Sequence, residues 1–278
     1  MCGIIGYIGT KKAKPILING LLRLEYRGYD SSGIATVEKD GIKVIKEKGR
    51  IANLDAMDGI NDLEGTIGIG HTRWATHGKP SAVNSHPHYD KDKLFAVVHN
   101  GIIENYHELR KLLEDNGYTF LSDTDTEVIP NLINLYYKKE NDFLKAVKLA
   151  CDDLKGSYSI EVLSKLHPDK LIVIRKDSPL VIGTSESENF VASDIPAVLS
   201  YTRKFYLLND NEYAVIYKDK VEFYDNSLSK INKGIKTIDW DANAAEKDGF
   251  DDYMLKEIFE QPNSIRETIG SRFKLGEN

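Results

Sequence analysis

The sequence predicts an α+β fold in which packed, mostly antiparallel sheets carry helices on their outer faces. Apolar, β-branched runs fill the start and the second half of the chain, and helical patterns lie between them. Strands and helices do not alternate one by one, as the βαβ units of a parallel sheet require. With 41% hydrophobic and 29% charged residues among 278, the chain has enough apolar side chains for a sizeable core.

Three elements are predicted at the start of the chain. The run IIGYIG at 4–9 is typical of a short buried strand. A helix is expected over 15–28, because Pro15 suits the first turn of a helix. Two β-rich runs around Lys39-Asp40-Gly41 indicate a hairpin over 33–49.

The middle of the chain combines two strands with helices. TIGIGHTRWAT (66–76) and KLFAVVHNGI (93–102) are β-branched runs that end in polar residues. ENYHELRKLLEDNG (104–117) has the periodicity of an amphipathic helix. SDTDTE (122–127) has the composition of a helix start, and Pro130 would lie in the first turn that follows.

The second half returns to strands and then changes character near residue 240. Its predicted strands are SYSIEVLS, KLIVIRK, PLVIG, NFVAS, KFYLLN, EYAVIY and VEFYD. A charged linker and a helical segment follow. We therefore expect one domain over 1–240 and a linker with a hinge helix over 241–278.

Composition excludes several classes of function. The net charge of −6 disfavours a general nucleic-acid or anionic-membrane binder. No apolar run approaches the ~20 residues of a membrane span, and no signal peptide is evident. The two cysteines, Cys2 and Cys151, form no disulfide or zinc pattern, so a reducing cytoplasm is expected.

Cys2 is the first candidate for chemistry. If Met1 is removed, residue 2 carries both a thiol and a free α-amine whose reference pKa is near 8. A nucleophile and a general base would then share one residue. The alternative is that Cys2 is a small buried hydrophobe at a frayed end. Cys151, in the helical pattern KAVKLACDDL, is interpreted as a small core residue.

Three further groups complete the candidates. Asn100 and Gly101 follow an apolar run and could supply the two N–H donors of an oxyanion hole, or simply form a turn. Arg73 suits a carboxylate and Asp125 an ammonium, so together they fit an amino acid. They could equally be surface charges or pair with each other.

A metal site is not expected. His77, His86 and His88 are close in sequence, but no carboxylate or thiolate completes a ligand set with them. The roles of His71, His86, His88 and His99 stay open.

In order along the chain, these segments resemble the glutaminase half of the glutamine–fructose-6-phosphate aminotransferases. The resemblance covers essentially the whole sequence, and HTRWATHG and HNGIIEN are its most specific parts. The segments are MCGIIGYIG, LEYRGYDSSGIA, GIGHTRWATHG, NSHPH, VVHNGIIENY, SDTDTEV, SPLVIG, NFVASD and YMLKEIFEQPNSIRETI.

The resemblance implies an N-terminal-nucleophile hydrolase fold, a four-layer αββα sandwich. It implies that Cys2 attacks the side-chain amide of glutamine and that its α-amine moves the proton. Asn100 and Gly101 would hold the oxyanion, and hydrolysis of a γ-glutamyl thioester would give glutamate and ammonia. Full activity would require loss of Met1.

The resemblance also assigns the substrate contacts, without any cofactor. Arg73 would bind the α-carboxylate of glutamine and Asp125 its α-ammonium, with help from Thr76 and His77. Trp74 would belong to a loop that closes over glutamine. The other two positions expected to line the pocket are Arg27 and Gly28.

In the family, a sugar-isomerase half receives the ammonia and makes glucosamine 6-phosphate from fructose 6-phosphate. Residues 1–278 are not expected to contain that half. The full-length enzyme is expected to be a homodimer, whereas dimerisation of residues 1–278 stays open, because in the family it depends largely on the other half. The nearest alternative is a class II amidotransferase that serves phosphoribosyl pyrophosphate or forms asparagine. A non-catalytic glutamine-binding domain is a more distant one.

Overall fold

Alternating apolar residues place the strands of this chain in two antiparallel sheets that pack face to face. The structure is a computed structural model that describes residues 2–239, 250 and 253–270. One compact unit ends at Ile238 and a second begins at Asp239. None of the described helices is long and apolar enough to cross a membrane. Met1 and most of the expected linker lie outside the described residues.

The strands follow the predicted order closely. They are β1 (Gly3–Ile8), β2 (Ser31–Glu38), β3 (Gly41–Lys48), β4 (Ile67–Arg73), β5 (His88–Tyr89), β6 (Phe95–Ile103), β7 (Gly156–Ser164), β8 (Leu171–Lys176), β9 (Val181–Thr184), β10 (Asn189–Ala192), β11 (Lys204–Leu207), β12 (Tyr213–Ile216), β13 (Val221–Tyr224), β14 (Lys230–Ile231) and β15 (Lys236–Thr237). The hairpin over 33–49 is confirmed as β2 and β3.

Helices lie at the predicted places, and one further short helix, Ile51–Asp55, was not predicted. They are α1 (Ala13–Leu24), α2 (Ile51–Asp55), α3 (Tyr106–Asp115), α4 (Val128–Glu140), α5 (Phe143–Asp153) and α6 (Tyr253–Gly270). Pro15 and Pro130 both lie in the first turn of their helices, where the missing N–H has no intrahelical partner to lose.

Two sheets form the middle of the first unit. The order is β15-β11-β9-β10-β1-β4-β2-β3 in one sheet and β14-β13-β12-β8-β7-β6-β5 in the other. All pairings between these strands are antiparallel. The N-terminal strand β1 is therefore central in its sheet, between β10 and β4.

Helices cover the outer face of each sheet. One apolar cluster lies between the sheets and includes Ile4, Ile69 and Val98. A second cluster joins the other face of β6 and β7 to helices α3, α4 and α5. Helix α1 packs on the outer face of the first sheet, where Gly20 lies against Ile5. The four-layer αββα sandwich is thus confirmed.

One local expectation was wrong. Asn100 and Gly101 do not follow the strand but lie inside β6, where they pair with Ser159 and Tyr158 of β7. Within the ladder to β7, Gly101 adopts φ +132°, a conformation that L side chains rarely adopt. A Cβ at this position would lie 2.0 Å from the carbonyl oxygen of Ser157.

A carboxyl group is buried in the layer between the sheets. Glu161 on β7 is fully buried, and neither of its carboxyl oxygens has a hydrogen-bond partner among the described residues. The group fills the space above Gly6 of β1, where a Cβ would lie 1.7 Å from Oε1. Burial raises the pKa of Glu161 well above its ordinary value of 4.5, because the charged form cannot be solvated there.

This burial predicts a pH-dependent stability difference for Glu161→Gln. The wild-type carboxyl stays protonated in the folded state after the unfolded chain has ionised above about pH 4.5. Wild-type stability is therefore lost as pH rises toward the raised pKa, by up to about 1.4 kcal/mol per pH unit. Urea unfolding at pH 5, 6, 7 and 8 should show that the free energy of unfolding of the variant increases relative to that of wild type as the pH rises. Parallel curves would contradict this.

Candidate active site

The start of β1 brings Cys2 against two other segments. The Cys2 carbonyl accepts hydrogen bonds from Arg27 Nε and from Asn100 Nδ2, both at 3.0 Å. The Sγ atom lies 3.2 Å from the backbone N of Trp74, which donates to it. Residues far apart in sequence therefore meet at one end of the layer between the sheets.

The environment of Cys2 affects its thiol. Burial raises the pKa of the thiol above its ordinary value of 9.0. The N–H of Trp74 and the guanidinium groups of Arg73 and Arg27 act in the opposite direction. The net shift is upward, so the thiol is protonated at neutral pH and requires a base before it can attack.

Asn100 presents its amide nitrogen to Cys2. Its Oδ1 lies 3.0 Å from Nε2 of the buried His71, on the side of the amide away from Cys2. Gly101 follows at the positive φ described above and is an exposed residue without a side chain. The pair can offer N–H groups to an oxygen that becomes negative near Cys2.

Arg73 ends β4 on the same side of the molecule. Its Nη2 donates to the carbonyl oxygens of His77 and Gly78, the latter at 3.2 Å. Its Nη1 is buried and has no hydrogen-bond partner among the described residues. Burial lowers the pKa of Arg73, and the nearby Cys2 and Asp125 oppose that shift. An unpartnered, buried guanidinium nitrogen can bind an anion such as a carboxylate.

Asp125 is buried in the turn before α4. Its Oδ2 accepts a hydrogen bond from the N–H of Ile103, at 2.8 Å, just after Asn100 and Gly101. Its charge also acts on Arg73, which places the two groups in one electrostatic environment. The structure does not pair them with each other, since no ion pair joins them among the described residues.

The loop after β4 supplies the other predicted contacts. Trp74 is half exposed, and its ring meets the edge of Tyr29 with centroids 6.0 Å apart. The His77 ring lies 5.7 Å from that of Tyr106, and its carbonyl is turned to Arg73. The Thr76 side chain is exposed. Main-chain atoms of this loop, more than its side chains, contact Arg73 and Cys2.

Arg27 and Gly28 hold the other side of Cys2. Arg27 is buried and also donates from Nη1 to Asp194 Oδ2 at 3.2 Å. A Cβ at Gly28 would lie 2.7 Å from the backbone of Arg73 and Trp74, so only glycine allows this approach. Sequence reasoning missed Asp194, although the polar end of NFVASD was a signal for it.

Metal ligation finds no support in the described part of the chain, which contains no group of three or more suitable side chains. His86 and His88 are buried, with ring centroids 4.8 Å apart. They belong to a cluster with His71 and His99 that sequence reasoning left unassigned.

Comparison with known proteins shows which families the chain is similar to. Residues 71–200 match the family described as the glutamine amidotransferase domain. Over 98% of its length the chain is 56% identical to a glutamine–fructose-6-phosphate aminotransferase (isomerizing) of Clostridium perfringens, and covers 44% of it. The chain is also 49% identical, over 98% of its length, to the protein of the same name from Gloeobacter violaceus, and it covers 45% of that protein. The chain thus spans less than half the length of these curated relatives.

Solved structures share the fold. A glutamine phosphoribosylpyrophosphate amidotransferase from B. subtilis matches 82% of this chain and 50% of its own, at 25% identity with a TM-score of 0.70. A glutamine aminotransferase class-II domain protein from Silicibacter pomeroyi matches 81% of this chain and 99% of its own, with a TM-score of 0.54 at 17% identity. Together these matches show a glutamine amidotransferase domain with the class II fold, and over nearly its whole length the chain is similar to the part of the glutamine–fructose-6-phosphate aminotransferases that it spans.

Proposed function

We propose that Cys2 is the nucleophile with which this domain hydrolyses L-glutamine to L-glutamate and ammonia. The observation that carries the proposal is the contact of Asn100 Nδ2 with Cys2, 3.0 Å from its carbonyl oxygen. An oxyanion donor is thereby held beside a thiol, and the buried Asp125 lies near enough to Arg73 to oppose the lowering of the Arg73 pKa by burial. The thiol and the donor suit the side-chain amide of glutamine, and the two opposite charges suit its α-carboxylate and α-ammonium.

The reaction begins with proton removal from the thiol. The free α-amine of Cys2, with a reference pKa near 8, takes that proton, directly or through a water molecule. The sulfur attacks the side-chain carbonyl carbon of glutamine, and the carbonyl oxygen becomes an oxyanion. Asn100 Nδ2 has a second N–H besides the one donated to Cys2, and it and the Gly101 N–H stabilise the negative charge.

Collapse of the tetrahedral intermediate completes the two half-reactions. The C–N bond breaks as the protonated α-amine returns its proton to the leaving nitrogen, which departs as ammonia. A γ-glutamyl thioester on Cys2 remains. Water then attacks the thioester carbon, its proton passes to the amine, and the C–S bond breaks to release glutamate and the thiol.

Recognition of glutamine depends on its two charged ends. Arg73 binds the α-carboxylate through its unpartnered Nη1, and Asp125 accepts from the α-ammonium. The loop with Trp74, Thr76 and His77 covers the substrate. Arg27, through the Cys2 carbonyl, and Gly28, through close contact with the Arg73 backbone, position the nucleophile; we class them as positioning residues.

In the longer protein, we propose that the ammonia is used to make glucosamine 6-phosphate from fructose 6-phosphate. The relatives' name and their greater length support this, as they leave room for an acceptor half. Residues 1–240 would be the glutaminase domain, and 241–278 a linker and hinge helix toward that half, in a homodimer. The free thiols Cys2 and Cys151 support a cytoplasmic location.

Another acceptor, phosphoribosyl pyrophosphate or aspartate, is the second candidate. The name of one similar solved structure includes phosphoribosylpyrophosphate, and this supports the alternative. The identity to that chain is 25%, against 56% to an aminotransferase named for fructose 6-phosphate. The difference favours the sugar phosphate.

Cys2→Ala should abolish glutamate release while leaving glutamine binding intact, because only the attacking sulfur is lost. Glutamate is assayed enzymatically and binding by calorimetry on the Met1-free protein. Cys151→Ala is the matched control, since that thiol is buried in a core cluster with α5 and should be dispensable for turnover. Residual turnover in Cys2→Ala would refute the nucleophile.

Asp125→Asn should raise the KM for glutamine roughly 10- to 100-fold, since a charged hydrogen bond to the ammonium is lost. The amide has nearly the same shape, so kcat should change little. Asp123→Asn, two residues away and exposed, is the control and should keep the wild-type KM. Equal KM values for the two variants would contradict the assignment.

Protein that retains Met1 should be inactive, because the nitrogen of residue 2 is then an amide and cannot act as a base. The two forms can be prepared with and without methionine aminopeptidase and identified by intact mass. Wild-type rates in the Met1-bearing form would disprove the amine as the base.

A further inference from the structure

Four buried histidines lie between the proposed glutamine site and the core. His71, His86, His88 and His99 are each at most 5% exposed. The His86 ring stacks on His71 at 4.1 Å and on His99 at 6.5 Å, and meets the edge of His88 at 4.8 Å. The proposed reaction does not use any of these rings directly.

One side of this histidine cluster contacts Asn100. His71 Nε2 lies 3.0 Å from Asn100 Oδ1 and 3.1 Å from the carbonyl oxygen of His99. Both partners are acceptors, so Nε2 must carry the hydrogen and donate it. The oxygen of the Asn100 amide is therefore held at His71, and its nitrogen faces Cys2. If the amide turned over, an oxygen would face the developing oxyanion and repel it.

The other side of the cluster contacts the residues that flank Asp125. His99 Nδ1 lies 2.8 Å from Thr126 Oγ1, and His88 Nε2 lies 3.0 Å from Thr124 Oγ1. Both hydroxyls are buried. The Thr124 hydroxyl also lies 2.9 Å from Ser122 Oγ, whereas the His99 ring is the one side-chain partner of the Thr126 hydroxyl among the described residues. The two rings thus fix the backbone on either side of Asp125.

The electrostatics of the cluster suit a rigid role. Burial lowers the pKa of all four rings, that of His71 to about 3. Each ring is then neutral at physiological pH and has one donor and one acceptor nitrogen. His86 uses its acceptor Nδ1 for the backbone N–H of His99, at 3.3 Å. Stacked neutral rings can pack closely without repulsion.

We propose that the histidine cluster positions the two ends of the glutamine site separately. His71 orients the Asn100 amide toward the reacting carbonyl, and His88 and His99 hold the turn that carries Asp125. The proposal deepens the proposed function and rests on it. The oxyanion exists only during the reaction, so the contact of His71 with Asn100 should govern kcat. The ammonium is bound before and during the reaction, so the contacts of His88 and His99 with the two threonines should govern KM.

His71→Met and His71→Gln test the first side. Their side chains are of similar length, but only glutamine can donate an N–H to Asn100. We expect Met to lower kcat about 100-fold with KM within a factor of three, and Gln to recover most of the loss. In an Asn100→Ala background, His71→Met should cause no further loss. Equal kcat values for His71→Met and His71→Gln would show that His71 contributes only packing, and would overturn the proposal.

Thr126→Val and Thr126→Ser test the second side. Valine removes the hydroxyl that His99 holds, and serine keeps it. We expect valine to raise KM about 10-fold with kcat within a factor of two, and serine to resemble wild type. His167→Phe, a histidine stacked on Phe143 outside the cluster, is the control and should leave both constants unchanged. A loss of kcat equal to the change in KM for Thr126→Val would overturn the separation.

A readout without turnover separates this proposal from the proposed function. The side-chain amide of Asn100 can be followed by ¹⁵N NMR in the Cys2→Ala protein. Its resonances should be kept in His71→Gln and should shift or broaden in His71→Met. Unchanged resonances in both would overturn the positioning role even if glutamine is hydrolysed. Wild-type protein without glutaminase activity, but with these shifts, would refute the proposed function alone.

Discussion

The main-chain carbonyl of Cys2 is the point on which the site depends. It accepts one hydrogen bond from Arg27, which approaches from the 3₁₀ turn after α1, and another from Asn100 of the second sheet. A chain terminus normally frays. Here Cys2 is held from both sides, and its side chain gains a defined place relative to both sheets.

The sheet order makes that fixation possible. Strand β1 lies between β10 and β4, so the beginning of the chain is central in its sheet. Ser193, just after β10, accepts from the N–H of Ile4 through its hydroxyl and donates its own N–H to the Ile4 carbonyl. Asp194 then holds Arg27. One short segment therefore secures both the strand and the guanidinium that holds Cys2.

Much of this arrangement could be predicted from the sequence, because apolar alternation and turn residues are local signals. They located the strands, the helices and the polar ends that carry Cys2, Arg73, Asn100 and Asp125. The position of Asn100-Gly101 inside β6 could not be predicted, since Asn-Gly is a turn signal unless a partner strand continues the ladder. Asp194 and Arg27 are 167 positions apart, and no local pattern indicates such a pair. The histidine roles depend on ring packing, which spacing does not encode.

The contact between Glu161 and Gly6 also constrains how this sequence can change over time. The carboxyl group occupies the space that any side chain at position 6 would require. A larger residue at position 6 therefore requires the Glu161 carboxyl group to move or position 161 to be shortened. The two positions, one on each sheet, are therefore coupled, and the size of the residue at 161 affects which substitutions the nucleophile's own strand can accept.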